Sequence, residues 1–176
     1  MAVTKTLIKT KVTEGLTADK VLNKVNEDLS MDNPSLMFVT LFLGILNVRT
    51  GELEYCNGGH NPPYIIHADG DIEPLAMTNG IALGVMEDFS YESGKKILEK
   101  GESIFVYTDG VTEAMNKREE LFSEKRLERE IATANVISIE NLVSDIIEKV
   151  KAFSEGIPQT DDITMMALKF RGMIKK

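Results

Sequence analysis

The sequence predicts an α+β layered sandwich, and three observations predict it. Helical periodicity is confined to the two ends of the chain. β-rich apolar runs separated by Gly-containing turns fill the middle, and nothing alternates strand with helix in the manner of βαβ units. At 176 residues the length fits one domain, residues 1–176, able to bury a core without metal or disulfide staples.

In chain order, Ala2 to Val12 predicts a helix. It begins with no Ser, Asp or Asn to satisfy its first amide groups, so it reads as a cut. Thr17 is a good N-cap for a second helix, in which Val21, Leu22, Val25 and Leu29 recur at helical spacing up to about Ser30, before Asn33-Pro34 ends it. Met37 to Val48 is nearly continuous apolar sequence, Arg49–Glu52 turns, and "LEYCNGG" returns, which makes a hairpin. "PPYIIHADGDIEPL" repeats that pattern, with its turn at Ala68–Asp71. A third pair is predicted from Phe89–Leu98 and Ser103–Thr108 around the Lys100-Gly101 turn. A short helix through Met115, a charged amphipathic segment over Glu119–Ile131 and a longer helix over Ser138–Phe153 follow, and the chain closes on a strand, Ile163–Phe170.

Composition excludes several functions. Lys and Arg number 20 against 28 Asp and Glu, and a net charge of −8 repels nucleic acid and anionic membrane unless a basic patch overrides it. The cluster Lys5, Lys9, Lys11 and Lys20 lacks interleaved aromatics and reads as a solvated helix face. The longest apolar run falls far short of the roughly 20 residues of a membrane helix. A single cysteine, Cys56, and no charged-then-apolar leader make the cytoplasm the expected location.

The chemistry is expected at two places. The apolar strand "SIFVYT" runs into Asp109-Gly110, and the last strand is entered through Asp161-Asp162-Ile163-Thr164. If both strands share a sheet, the carboxylates emerge at neighbouring strand ends, which suits a hard, oxygen-seeking cation such as Mg²⁺ or Mn²⁺. Gly110 allows the backbone to come close to such a site. Each motif alone is a common turn or strand start, and only the combination is specific.

Other readings are weaker. Cys56, His60 and His67 fit no compact zinc spacing. The paired glycines and prolines of "CNGGHNPPY" read instead as a tight connection, with His60 a hydrogen-bonded turn residue. The nucleophile motif of haloacid dehalogenases requires a carboxylate two residues before Asp109, where this sequence has Tyr107. Gly80 and Gly84 open no helix and read as packing or turn glycines, and Glu113 reads as a helix N-terminal charge.

"YTDGVTEAMN", "NGGHNPPYII", "IALGV" and "TDDITMMAL" together resemble the metal-dependent serine/threonine protein phosphatases of the PPM superfamily, in their bacterial SpoIIE/RsbU-type branch, over essentially the whole chain. The resemblance implies two mainly antiparallel β-sheets flanked by helices. It also implies a binuclear Mn²⁺ or Mg²⁺ site in the intact family domain, and hydrolysis of phosphoserine or phosphothreonine on a protein in partner-switching or stress signalling. The family's usual partner is a phosphorylated anti-sigma-factor antagonist. Asp109 and Asp161 fall on metal-ligand positions, with Asp162 beside the ligand and Gly110 bringing its backbone near the metal.

The sequence departs from the family at its start. Two earlier motifs, Gly-Asp-aromatic-Asp and a Gly-Asp-Val-Ser-Gly-like stretch, are missing, and Met1-Ala2-Val3 matches the middle of the helix that follows the second. The expectation is therefore a phosphatase domain over residues 1–176 that lacks its N-terminal part. Two dications carry a charge of about +4 against two carboxylates, so the site is expected to be incomplete. The alternative is a noncatalytic module, either binding a phosphoprotein or self-associating as a homodimer through apolar surface left uncovered.

Overall fold

The computed structural model describes residues 2–31, 33–134, 139–159 and 161–173. They group into two compact units, each with its own antiparallel sheet. One is built from the residues up to His60 and from Ala76–Leu98, the other from Asn61–Leu75 and from Glu99 onward. The α+β class is as predicted.

In the first unit, α1 (Ala2–Thr13) and α2 (Ala18–Ser30) accompany a sheet of β1 (Leu41–Leu46), β2 (Glu52–Gly58) and β5 (Gly94–Ile97), in the order β1-β2-β5. The helical spacing in α2 has a direct result: Val21, Leu22 and Val25 are fully buried and pack with Cys56, Leu83 and Tyr91. Thr17 has the extended backbone of an N-cap, yet its side chain bonds nothing at the helix end. Instead Ala18 N–H donates to Glu54 Oε1 from β2, at 2.6 Å. A charged acceptor beside the positive end of the helix does the capping that Thr17 was expected to do. Glu54→Ala is therefore expected to lower the unfolding free energy by about 1–2 kcal/mol, and Thr17→Ala by well under 1 kcal/mol, in urea titrations.

The first strand is shorter than its apolar run. Asn33 accepts from Met37 N–H and donates to Met37 O, both at 2.7 Å, while Val39 and Leu83 exchange backbone bonds, so residues 33–39 are held as a loop. The third hairpin is overturned. β5 pairs with β2 in the first unit, while β6 (Ser103–Tyr107) pairs with β3 (Tyr64–Ile66) and β7 (Met165–Lys169) in the second. Burial explains the partition. β6 is almost wholly buried and takes partners on both sides, whereas β5 carries Lys95 and Lys96 and suits an edge.

The second sheet runs β4-β3-β6-β7, with β4 at Ile72–Pro74. Its core joins Tyr64, Ile66, Phe105 and Tyr107 from the strands to Leu127 and Ile131 of α4 (Glu124–Thr133) and to Leu142, Ile146 and Val150 of α5 (Ile139–Phe153). Ser138, the expected start of α5, lies outside the described residues. The short helix α3 covers Asp109–Thr112 and does not reach Met115, because Ser123 N–H donates to Thr112 O and Phe122 N–H to Ala114 O, turning the chain back. Glu113 is the C-cap of α3, so it is no N-terminal charge.

Lys149 of α5 donates to Glu130 of α4, and that bond, aided by Arg129, holds the Glu130 carboxyl below its ordinary value of 4.5 against the opposing effect of burial. A carboxyl depressed by folding stabilises the fold above its unfolded pKa and loses that contribution as pH falls through the folded value. Thermal melts from pH 6 down to 3 should therefore show wild type losing up to about 1 kcal/mol more than Glu130→Gln, the pair being partly exposed.

Candidate metal centre

β6 and β7 pair antiparallel, with Tyr107 opposite Met165, so the end of one strand and the start of the other meet at one sheet edge. Asp109 follows β6 as the first residue of α3, and Asp161 lies on the segment that leads into β7. Both carboxylates are exposed, as is that of Asp162. The structure thus brings together the two positions that the sequence placed at neighbouring strand ends.

Thr108 ties the corner. Its N–H donates to Thr164 O at 3.0 Å, its hydroxyl donates to Asp162 O at 2.8 Å, and it accepts from Thr164 N–H at 2.9 Å. Sequence reading passed over Thr108 as the last residue of a strand. The available signal was a hydroxyl directly before Asp-Gly, able to bond a neighbouring backbone on both sides.

Gly110 closes the corner. A Cβ there would stand 2.6 Å from Asp162 O and 3.0 Å from Asp162 C, so only glycine admits the 161–162 backbone at this distance. Asp162 thus meets the corner through its carbonyl, which contacts both Thr108 and Gly110. Each aspartate is oriented locally: Asp109 Oδ1 accepts from Gly110 N–H at 3.0 Å, and Asp161 Oδ1 from Asp162 N–H at 2.7 Å. Gln159 donates to Asp161 O at 2.7 Å and holds the loop from the other side.

Beneath the corner Tyr107 is 1% exposed and stacks on Tyr64 at 5.8 Å; Tyr64 OH donates to Glu128 at 3.1 Å. Burial pushes both phenols above their ordinary value, so they stay neutral and serve as a rigid base. The residue that excludes the dehalogenase reading is a core residue.

Among the described residues no lysine, arginine or histidine pairs with Asp109, Asp161 or Asp162, leaving their oxygens open to a cation. Also among the described residues, no three His, Cys, Asp or Glu side chains are grouped to hold a metal. Two carboxylates fit one hard dication that keeps most of its water ligands. They do not make a binuclear centre.

The zinc alternative gains no support: among the described residues Cys56, His60 and His67 form no metal-holding group. The Cys56 thiol is buried, donates to Glu92 O at 3.2 Å, and is pushed up to about 12 by burial first and by Asp19 next. His60 sits in a turn closed by Asn57, which accepts from His60 N–H at 2.7 Å and donates to His60 O at 2.8 Å. Gly80 and Gly84 are packing and turn glycines: a Cβ on Gly80 would lie 1.7 Å from Asn57 O, and Gly84 has φ +86°.

Comparison with known proteins agrees with the fold and the motifs. The family model of stage II sporulation protein E (SpoIIE) matches residues 1–171. Protein IcfG of Synechocystis is 35% identical over 75% of this chain and 20% of its own length. The phosphoserine phosphatase RsbU of Bacillus subtilis is 27% identical over 88% of this chain and 46% of its own. The crystal structure of the RsbU and RsbW domains of a Mycobacterium tuberculosis protein superposes with TM-score 0.80 at 25% identity, covering 97% of this chain and 47% of that one. The chain spans less than half the length of these relatives.

Proposed function

The chain belongs to the SpoIIE family, and from that premise we propose that it is part of a protein serine/threonine phosphatase domain, acting by water attack on a phosphomonoester in a bacterial signalling pathway. The observation that carries the proposal is the corner at which Thr108 and Gly110 bind the Asp109 and Asp161 segments together. Asp109 and Asp161 hold a Mn²⁺ or Mg²⁺ ion there, with Asp162 and Gly110 fixing the backbone around it.

A hard dication at this place supplies positive charge for phosphoryl oxygens and acidifies water. The chain's own residues present two carboxylates that have no ion-pair partner among the described residues, and hold both segments in register. Pre-oriented ligands lower the reorganisation that binding demands. The substrate is a phosphoserine or phosphothreonine on a partner protein, the family resemblance pointing to a phosphorylated anti-sigma-factor antagonist in the cytoplasm. Among the described residues no helix is long and apolar enough to cross a membrane.

The direct test is hydrolysis of a phosphoserine peptide by this chain across a Mn²⁺ titration. Release of phosphate that rises with metal and is lost in Asp161→Ala supports the proposal. Release that is indifferent to metal and to both aspartates rejects it.

A second reading, a self-associating module without catalysis, is favoured by one observation. The loops of the first unit expose Leu36 (81%), Met37 (71%), Phe38 (67%), Val85 (60%) and Met86 (54%), and Asn33 joins them by donating to both Met37 O and Gly84 O. Apolar patches of this kind usually mark contact surfaces. Light scattering separates the readings: a dimer that lacks metal-dependent turnover favours the second, and an active monomer favours the first.

A further inference from the structure

At the other end of the strands that lead to the aspartates lies a cavity of about 370 Å³ within the second unit. Its floor is one row of the sheet: Ile66 lies opposite Ser103, and Ser103 opposite Lys169, so the three side chains share a face. The β3–β4 turn with Asp69, the Gly101 turn and the C-terminal end of α4 at Thr133 form the walls.

Among the described residues, two polar side chains on this floor have no partner. Ser103 is 1% exposed and among the described residues its hydroxyl has no hydrogen-bond partner, an arrangement that destabilises a folded protein. Lys169 is half-buried, and among the described residues no carboxylate lies within ion-pair distance of it. Neighbouring side chains have contacts of their own: His67 Nδ1 meets the buried Glu102 carboxylate at 2.6 Å, its Nε2 faces Glu73 at 3.5 Å, and the Asp69 carboxylate on the wall, still a negative charge, accepts from Asp71 N–H at 3.2 Å. A cationic donor and an orphan hydroxyl adjacent on one sheet row, at the floor of a polar recess, form a two-point receptor for an oxyanion.

We infer that this cavity binds a small oxyanion, a phosphate or carboxylate group of a metabolite-sized molecule, between Lys169 Nζ and the Ser103 hydroxyl. The site is separate from the aspartate corner, which is reached only along the whole length of β6 and β7. It requires no catalysis, and it stands whether or not the chain is a phosphatase.

Amide NMR spectra of the full chain, recorded with a chelator and at constant ionic strength, provide the test. Inorganic phosphate and succinate are titrated separately to about 10 mM, a range that detects millimolar binding. Saturable movement of the Ser103, Lys169 and Gly101 resonances is expected, weakened about tenfold or more in Lys169→Gln and retained in Lys169→Arg. Ser103→Ala is expected to weaken binding while raising the melting temperature, since it removes a stranded hydroxyl. A response to phosphate alone assigns a phosphoryl ligand, and a response to succinate alone assigns a carboxylate. The inference is overturned if neither ion moves these resonances, if Lys169→Gln responds as wild type does, or if the response disappears in Asp109→Asn.

Discussion

Asp109→Ala and Asp161→Ala are each expected to reduce Mn²⁺-dependent phosphomonoester hydrolysis by about a thousandfold or more, the several kcal/mol of charge stabilisation that a metal contributes to phosphoryl transfer. Both side chains are exposed and among the described residues neither takes part in an ion pair, so unfolding free energies should stay within about 0.5 kcal/mol of wild type. That contrast separates a ligand from a structural residue. Electron paramagnetic resonance of Mn²⁺ gives a readout that needs no turnover: free Mn²⁺ signal should fall on adding wild type and stay unchanged on adding either variant. Equal Mn²⁺ uptake by all three proteins would remove both residues from the site.

Gly110→Ala is expected to be the most damaging single methyl group in the second unit. The new Cβ would stand 2.6 Å from a backbone oxygen, which has no flexible end to swing aside. Either α3 or the 161–162 segment must move, and each is tied to Thr108, α3 through Val111 N–H to Thr108 O and the segment through the Thr108 hydroxyl to Asp162 O. We expect about 2–3 kcal/mol of destabilisation together with a Mn²⁺ affinity at least about tenfold weaker, since small displacements of positioning groups carry large functional penalties. Gly15→Ala is a suitable control for the general effect of adding a methyl to glycine. Its Cβ meets nothing within 4 Å, and its cost comes from a φ of +72° alone, so it should lower stability and leave Mn²⁺ binding intact. Wild-type Mn²⁺ affinity in Gly110→Ala would show that the corner tolerates rearrangement.

How far the sequence revealed this structure depended on the range of the interaction. Helix α2, the β1–β2 and β3–β4 hairpins and the closing strand were legible because periodicity and turn residues are local signals. The pairing of β5 and β6 was misread because adjacency in sequence was taken for adjacency in the sheet, whereas burial of both faces of β6 demanded β3 and β7 as partners. Capping of α2 was misread for the same reason: Glu54 comes from a distant strand, and nothing around Thr17 announces it. At the corner, the meeting of the Asp109 and Asp161 segments was legible from their places at predicted strand ends, and the close approach at Gly110 from the freedom glycine gives the backbone. Thr108 escaped notice because its importance lies in reaching across to Asp162 and Thr164, a tertiary relation with no mark in the local pattern.

The position of β7 has a kinetic consequence. Helices α3, α4 and α5 all lie between β6 and β7 in the chain, so joining these strands closes a long loop, whereas β3 and β4 close a tight one. Non-local pairings form late, because their entropic cost precedes the contacts that offset it. A refolding chain therefore possesses Asp109 just beyond the end of the nearly complete strand β6 before Asp161 arrives beside it. On the proposed function, a metal ion held there would slow the loss of the finished edge far more than it hastens its assembly.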